Sequence, residues 1–224
     1  MGLNVSKGNM YSWITHTWNT VKGKCYHDCS YCYMKRWGHL KDVRFDHNER
    51  KMDLGEGNFI FVGSSCDMFA ENVHPEWIIK TLQHCEKYDK NGYLFQTKNP
   101  KAFSDYAANI AAIEKFALCV TLETNRWYED IMKNSPKITS RVYEFAEIPY
   151  SNKYVTIEPI MDFDLVEFVL MLQDINPIQI NIGADSGGHN LPEPSKDKIL
   201  QLIAELEKFT KVKLKKNLNR LLNE

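Results

Sequence analysis

The chain has 224 residues, 43% of them apolar and 25% charged, with a formal net charge of −1. That is enough chain for one well-buried core, and the charge balance excludes a protein that holds nucleic acid through a global basic field. No run of roughly 18 apolar residues offers a membrane span, and Met1–Asn9 lacks the apolar stretch of a secretory signal, so the cytoplasm or an equivalent reducing space is the expected setting.

In chain order, a short polar N-terminus (1–14) precedes a first strand over Thr15–Val21. Asn58–Val62, Gly92–Thr97, Ala117–Glu123, Tyr154–Glu158, Ile178–Ile182 and, more weakly, Val212–Leu214 follow as short β-rich runs. Helices are expected between them. Pro75–Lys87 has proline in its first turn and apolar residues at Trp77, Ile78, Leu82 and Cys85. Pro100–Phe116, Arg141–Glu147 and Leu165–Ile175 come next, and Ser195–Phe209 opens on a serine cap. A basic amphipathic segment (208–224) closes the chain. It contains Lys208, Lys211, Lys213, Lys215, Lys216 and Arg220, and reads either as a phosphate contact or as a solvated terminus. Strands alternating with helices at this spacing imply βαβ units on a parallel sheet, with six or seven such units in one domain over residues 1–224. The expected fold is α/β, a partial (β/α)6 TIM-like barrel, because eight units would need about 250 residues. Chemistry in such folds gathers at the C-terminal ends of the strands.

The six cysteines divide sharply. Cys66, Cys85 and Cys119 are scattered and read as small buried apolar residues, whereas Cys25, Cys29 and Cys32 fall on one loop after the first strand. A disulfide framework belongs to short secreted chains, so the clustered three read as metal ligands. A [4Fe-4S] cluster normally takes four thiolates. Three from one loop would leave an iron open for a small chelating ligand. Two other readings of the loop stand beside this one: a structural zinc knuckle completed by His27 or His39, and a dithiol redox pair at Cys29 and Cys32. Beyond the loop, Tyr33, Trp37 and His39 could stack a base or simply pack over the site.

The C-x3-C-x2-C spacing, with Tyr31 before the third cysteine, resembles the signature of the radical S-adenosylmethionine (SAM) superfamily. Tyr31-Cys32-Tyr33 is similar to its spore photoproduct lyase branch. Thr17-Trp18-Asn19 and the later motifs resemble small phage-associated radical SAM proteins, over roughly Thr15–Leu214. The resemblance implies a barrel of the radical SAM type carrying a [4Fe-4S] cluster and S-adenosyl-L-methionine. It implies hydrogen abstraction by a 5′-deoxyadenosyl radical and a flavodoxin or ferredoxin-type electron donor. The substrate is open, with a nucleic-acid base among the candidates.

The strand ends supply candidate SAM contacts. Gly63-Ser64-Ser65-Cys66-Asp67 offers hydroxyls and a carboxylate, or else an ordinary turn capping the next element. Ser-Ser-Cys-Asp resembles a SAM-touching segment of the lyase branch. Lys98 after Thr97 is a compact cation at the rim, and the resemblance gives it the SAM carboxylate as partner. Thr121 and Glu123 share one face of their strand by period-two spacing. A buried acid such as Glu123 needs a partner, from ligand or core, and Glu158 repeats that pattern before Pro159. Tyr31 belongs to the same cofactor-binding set by resemblance. Gly183-Ala184-Asp185-Ser186-Gly187 resembles a Gly-x-Glu-Ser-Gly motif of the phage-associated group, with Asp185 in the place of glutamate. The lyase branch donates hydrogen from a cysteine whose position here is Ser64. Cys66, two residues on, is therefore only a weak candidate for that donor.

Overall fold

Period-two alternation along short strands builds the core. The computed structural model describes residues 3–223. Strands β1 (Asn4–Val5), β2 (His16–Trp18), β3 (Val21–Lys22), β4 (Arg44–Phe45), β5 (Phe59–Val62), β6 (Gly92–Thr97), β7 (Phe116–Thr121), β8 (Lys153–Ile157), β9 (Gln179–Ile182) and β10 (Lys211–Leu214) form two sheets. The larger has the order β1-β2-β5-β6-β7-β8-β9-β10, and every pair in it is parallel except β1 with β2. Its two ends do not pair, so this is the open barrel that the sequence leads one to expect. β3 and β4 make a small antiparallel ribbon.

Helices α1 (Pro75–Lys87), α2 (Lys101–Asp105), α3 (Ala107–Ala111), α4 (Glu129–Met132), α5 (Ile138–Ala146), α6 (Leu165–Ile175), α7 (Lys196–Leu206) and α8 (Asn219–Leu222) follow. The first seven fill the crossovers after β5. Ile60, Val62, Tyr93, Phe95, Leu118, Val120, Val155, Ile157, Ile180 and Ile182 point toward the helices and form the main core. The alternate residues Leu94, Ala117 and Cys119 face the lumen, with Phe59, Phe61 and Tyr154 packed beside them. Such two-faced burial is what a parallel sheet requires.

The lumen is filled from an unexpected source. Tyr11 and Ile14 join the inner cluster, and Trp13 meets Phe59 edge-on at 4.6 Å and Tyr154 at 5.3 Å. The Tyr11 hydroxyl donates to Gln96 Oε1 at 2.7 Å. Residues 1–14 are therefore more than a polar lead-in where they are described. Segment 9–14 is a plug: Asn9 sits at the rim against Glu158 and Asn217, Tyr11 in the middle and Trp13 toward the floor.

Three further differences have local causes. The first strand is interrupted after Trp18, because Asn19 turns its side chain to residues 64–65 and the Thr20 carbonyl is taken by the Asp46 amide at 2.7 Å. The helix expected over Pro100–Phe116 breaks at Tyr106 (φ −111°, ψ 20°), where the Tyr150 hydroxyl caps the Ala107 carbonyl at 3.1 Å. Phe116 already belongs to β7. The basic C-terminal stretch is woven into the fold: β10 is the last strand of the sheet, Lys215 pairs with Glu158, and Arg220 with Glu193. On β10 itself Lys211 and Lys213 are exposed, charges that discourage pairing with another edge.

Candidate functional site

The loop with Cys25, Cys29 and Cys32 follows β3, beyond the C-terminal end of β2, and overhangs the barrel mouth. It is held down from below by hydrogen bonds to the segment after β7. The Ser30 amide donates to the Ile131 carbonyl at 2.9 Å, the Asn134 amide to the His27 carbonyl at 3.2 Å, and Asn134 Nδ2 to the Tyr26 carbonyl at 3.0 Å. Within the loop, Asp28 adopts φ 49°, and Lys24, Lys35 and Lys133 gather around its carboxylate. The Cys32 amide donates to the Cys29 carbonyl, and the Lys35 amide to the Cys32 carbonyl, which begins a 3-10 turn over Tyr33–Trp37.

The rim after β5 grips the loop from the other side. His27 Nε2 and Asp67 Oδ2 are 2.8 Å apart. The same oxygen accepts from the Thr97 hydroxyl and the Lys98 amide, both at 2.9 Å, while Oδ1 takes the Phe69 amide. Burial alone would raise the Asp67 carboxyl; His27 and these donors hold it below its ordinary value. Asp67, expected among the SAM contacts, thus spends both oxygens on tying the loop to β5 and β6. Ser64 gives its hydroxyl to Asn19 at 3.2 Å and its carbonyl to the Tyr33 hydroxyl at 2.8 Å, and the Ser65 amide also donates to Asn19. Cys66 is buried. Sharing a proton with Cys66 would hold the Cys25 thiol below its ordinary value and push the Cys66 thiol up.

A buried charge cluster lies beneath. Glu123, fully buried, accepts from Arg141 Nη1 at 2.8 Å and from the Tyr31 hydroxyl, and Lys98 Nζ lies 3.6 Å away. Arg141, equally buried, also donates to the Thr121 and Pro136 carbonyls. Burial pushes the Glu123 carboxyl up, but Arg141, then Lys98 and the Tyr31 bond, bring it below its ordinary value. Burial works against the Lys98 ammonium, and the nearness of Cys29 and Glu123 more than offsets it. One carboxylate here serves two cations. Lys98 is the looser partner and keeps partial access to the mouth, so it has capacity for a further anion. Thr121, on the same lumen-facing row, accepts from Gln96 Nε2 at 3.1 Å.

Glu158 does not join this group. It sits at the end of β8, held by Asn9 at 2.7 Å, Asn217 at 2.8 Å and Lys215. A Cβ at Gly183 would come within 2.7 Å of its carboxylate, which accounts for glycine at the end of β9. Asp185 turns back on its own loop, accepting from the Gly187 amide and from the His189 amide and ring. The structure thus brings Cys25, Cys29, Cys32, Tyr31, Ser64, Ser65, Cys66, Asp67, Lys98, Thr121 and Glu123 to one side of the mouth, with Glu158 apart in the cluster around Asn217.

Sequence reasoning missed Arg141, which reads as a solvated residue opening a helix, and gave His27 only the part of a zinc ligand. Asn19 was quoted for its motif, without a role. Three cysteines on one loop are the donor set that a [4Fe-4S] cluster with one open iron would take. Two thiolates on one tetrahedral zinc lie about 3.8 Å apart at a Zn–S bond of ~2.3 Å. Among the described residues no three His, Cys, Asp or Glu side chains gather in a way that could hold a single metal ion. A cube takes its three cysteines on three separate irons. His27 Nδ1, buried without a partner, adds a polar atom beside the loop for such a group.

Residues 9–196 match the model of a family described as "Protein of unknown function (DUF5131)". No curated protein matches the chain. Among solved structures, a variant of spore photoproduct lyase with bound AdoMet and dinucleoside spore photoproduct superposes with a TM-score of 0.67 at 11% identity, covering 92% of this chain and 78% of that one. A cysteine-to-serine variant of the lyase gives a TM-score of 0.65 at 10% identity over 94% and 79%. The lyase complexed with dinucleoside spore photoproduct gives 0.65 at 10% over 94% and 78%. At such identities the likeness establishes a common fold.

Proposed function

The chain belongs to the DUF5131 family, and we propose that it is a radical SAM enzyme whose [4Fe-4S] cluster is held by Cys25, Cys29 and Cys32. The observation that carries this reading is the three-cysteine loop poised over the mouth of an open barrel of the spore photoproduct lyase fold. When bound, a [4Fe-4S] cluster with SAM at its open iron supplies one-electron cleavage of the sulfonium, giving methionine and a 5′-deoxyadenosyl radical that takes hydrogen from the substrate. This chain's part is placement. Lys98, the cation with access to the mouth, would bind the SAM carboxylate as a point charge. Tyr31 and Glu123 would hold Lys98 and Arg141 in register from below, and the Asp67 and Asn19 bonds would keep the Ser64–Ser65 segment against the loop. A flavodoxin or ferredoxin-type protein would deliver the electron.

For the substrate we favour a nucleic-acid base. Beside the loop, Tyr33 and Trp37 are exposed, with Arg36 over their rings at 5.6 and 5.1 Å, faces on which bases stack. The rival readings are a non-catalytic zinc or iron–sulfur module that binds nucleic acid, and a dithiol redox protein.

Anaerobic reconstitution with iron and sulfide separates them. The expected result is about four irons and four sulfides per chain, with 5′-deoxyadenosine formed from SAM on reduction. Cys25→Ala, Cys29→Ala and Cys32→Ala should each lose the iron. One tightly held zinc and no iron would overturn the proposal in favour of the module. Full activity of Cys25→Ala would favour the redox pair.

A further inference from the structure

Between α4 and α5 the chain turns at Lys133 (φ 49°) and passes under the cysteine loop. Three hydrogen bonds fix this passage to the loop: the Ser30 amide to the Ile131 carbonyl, the Asn134 amide to the His27 carbonyl, and Asn134 Nδ2 to the Tyr26 carbonyl. On its other side, Arg141 Nε donates to the Pro136 carbonyl at 2.8 Å. Ser135 stands between these anchors, and its hydroxyl meets the Cys29 sulfur at 3.4 Å across 106 positions of sequence. Both residues are buried, at 6% and 5% exposure. A buried hydroxyl needs a partner, and among the described residues the Ser135 hydroxyl has the Cys29 sulfur alone.

We propose that Ser135 is a positioning residue for the cluster: its hydroxyl donates to the Cys29 sulfur, orients that ligand and raises the reduction potential. The direction of the bond follows from counting protons. In the free thiol either atom can donate. A thiolate on iron has no proton, so there the hydroxyl is the donor and the sulfur the acceptor. One-electron reduction adds negative charge to the cluster and its sulfurs. A donor on one of those sulfurs therefore stabilises the reduced form more than the oxidised one. One net hydrogen bond shifts an equilibrium by about threefold to tenfold, which is about 30–59 mV at ~59 mV per tenfold for one electron. The inference rests on the cluster reading and adds to it a residue from a distant part of the chain.

Full-length protein reconstituted with iron and sulfide is titrated anaerobically with a low-potential reductant, and the reduced cluster is followed by electron paramagnetic resonance. Ser135→Ala should take up iron as the wild type does, with a midpoint about 30–59 mV lower. Ser135→Thr keeps a hydroxyl and should stay close to the wild type. Ser135→Val has the shape of threonine without the hydroxyl and should fall with Ser135→Ala. A role in packing alone would instead move the threonine and valine variants together. A midpoint for Ser135→Ala equal to that of the wild type, or equal midpoints for the threonine and valine variants, would overturn the proposal. The threonine–valine pair decides the matter if Ser135→Ala fails to fold. Either refuting result, obtained on iron-loaded protein, leaves the cluster reading standing, whereas a wild-type chain that takes no iron would overturn both.

Discussion

Replacing Arg141 by methionine removes a cation that no solvent reaches. Its guanidinium answers the Glu123 carboxylate at 2.8 Å and two carbonyls, those of Thr121 and Pro136. Without it Glu123 keeps the Tyr31 hydroxyl and a lysine at 3.6 Å, and the two carbonyls lose their donor. Stranding one member of a buried ion pair costs about 3–5 kcal/mol. At roughly 2–4 °C per kcal/mol for a domain of this size, the midpoint should fall by about 6–20 °C. Glu123→Gln strands the arginine and should cost a similar amount. The double variant should cost less than the sum, with a coupling of about 0.5–3 kcal/mol. The pH dependence follows from sign. The Glu123 carboxyl is lowered in the folded chain, so its contribution is complete above the unfolded value of about 4.3 and is lost as the pH falls through the folded one. Thermal melts of the four proteins at neutral pH, repeated toward pH 3, read all of this. A midpoint for Arg141→Met within about 2 °C of the wild type, or strict additivity in the cycle, would refute the reasoning.

Gly23→Ala should be disruptive. At φ +113° a Cβ would meet the Asp42 carbonyl oxygen at 2.4 Å, so the cost should exceed the ~1–3 kcal/mol of ordinary backbone strain, and iron retention two residues on should fall with it. Gly57→Ala, at φ +74° with open space around it, should cost no more than that strain; equal melting losses for the two would show that close approach is not the issue. Trp13→Ala should cost about 3 kcal/mol by opening the lumen beside Phe59 and Tyr154, seen as a lowered urea midpoint. Trp37→Ala should leave melting unchanged and weaken binding of single-stranded nucleic acid by about 1–3 kcal/mol. Absence of salt-sensitive binding by the unaltered protein would remove the nucleobase proposal. Asp185→Asn should flatten acid sensitivity below about pH 4, because the carboxylate is held low by the His189 and Gly187 amides against the cost of its burial.

Much of the barrel was legible because its signals are local. Ile60, Val62, Tyr93, Phe95, Leu118 and Val120 alternate with lumen residues at strand spacing, and α1 carries its own start signal in Pro75. The cysteine loop was legible for the same reason, since three ligands fit within eight residues. What stayed hidden depends on partners far along the chain. Arg141 is identified only by Glu123, and Asn19 only by the Ser64–Ser65 segment. The hold of Asp67 on the loop through His27 requires β2 and β5 to lie side by side. Tyr11 and Trp13 read as ordinary residues of a polar lead-in, because nothing near them in sequence says that the lumen needs filling.

The lumen plug also orders events in time. Residue 9 leaves the ribosome long before its partners at 158 and 217, and the Asn9–Asn217 bond spans 208 positions. Until β8 and the stretch around Asn217 exist, Tyr11 and Trp13 have only half their lodging, and the inner faces of β6 and β7 stay wet. A segment made before its partners is therefore seated only after them, a high-separation closure of the kind that slows folding. A nascent chain of this protein should hold its cysteine loop in place well before its barrel is shut.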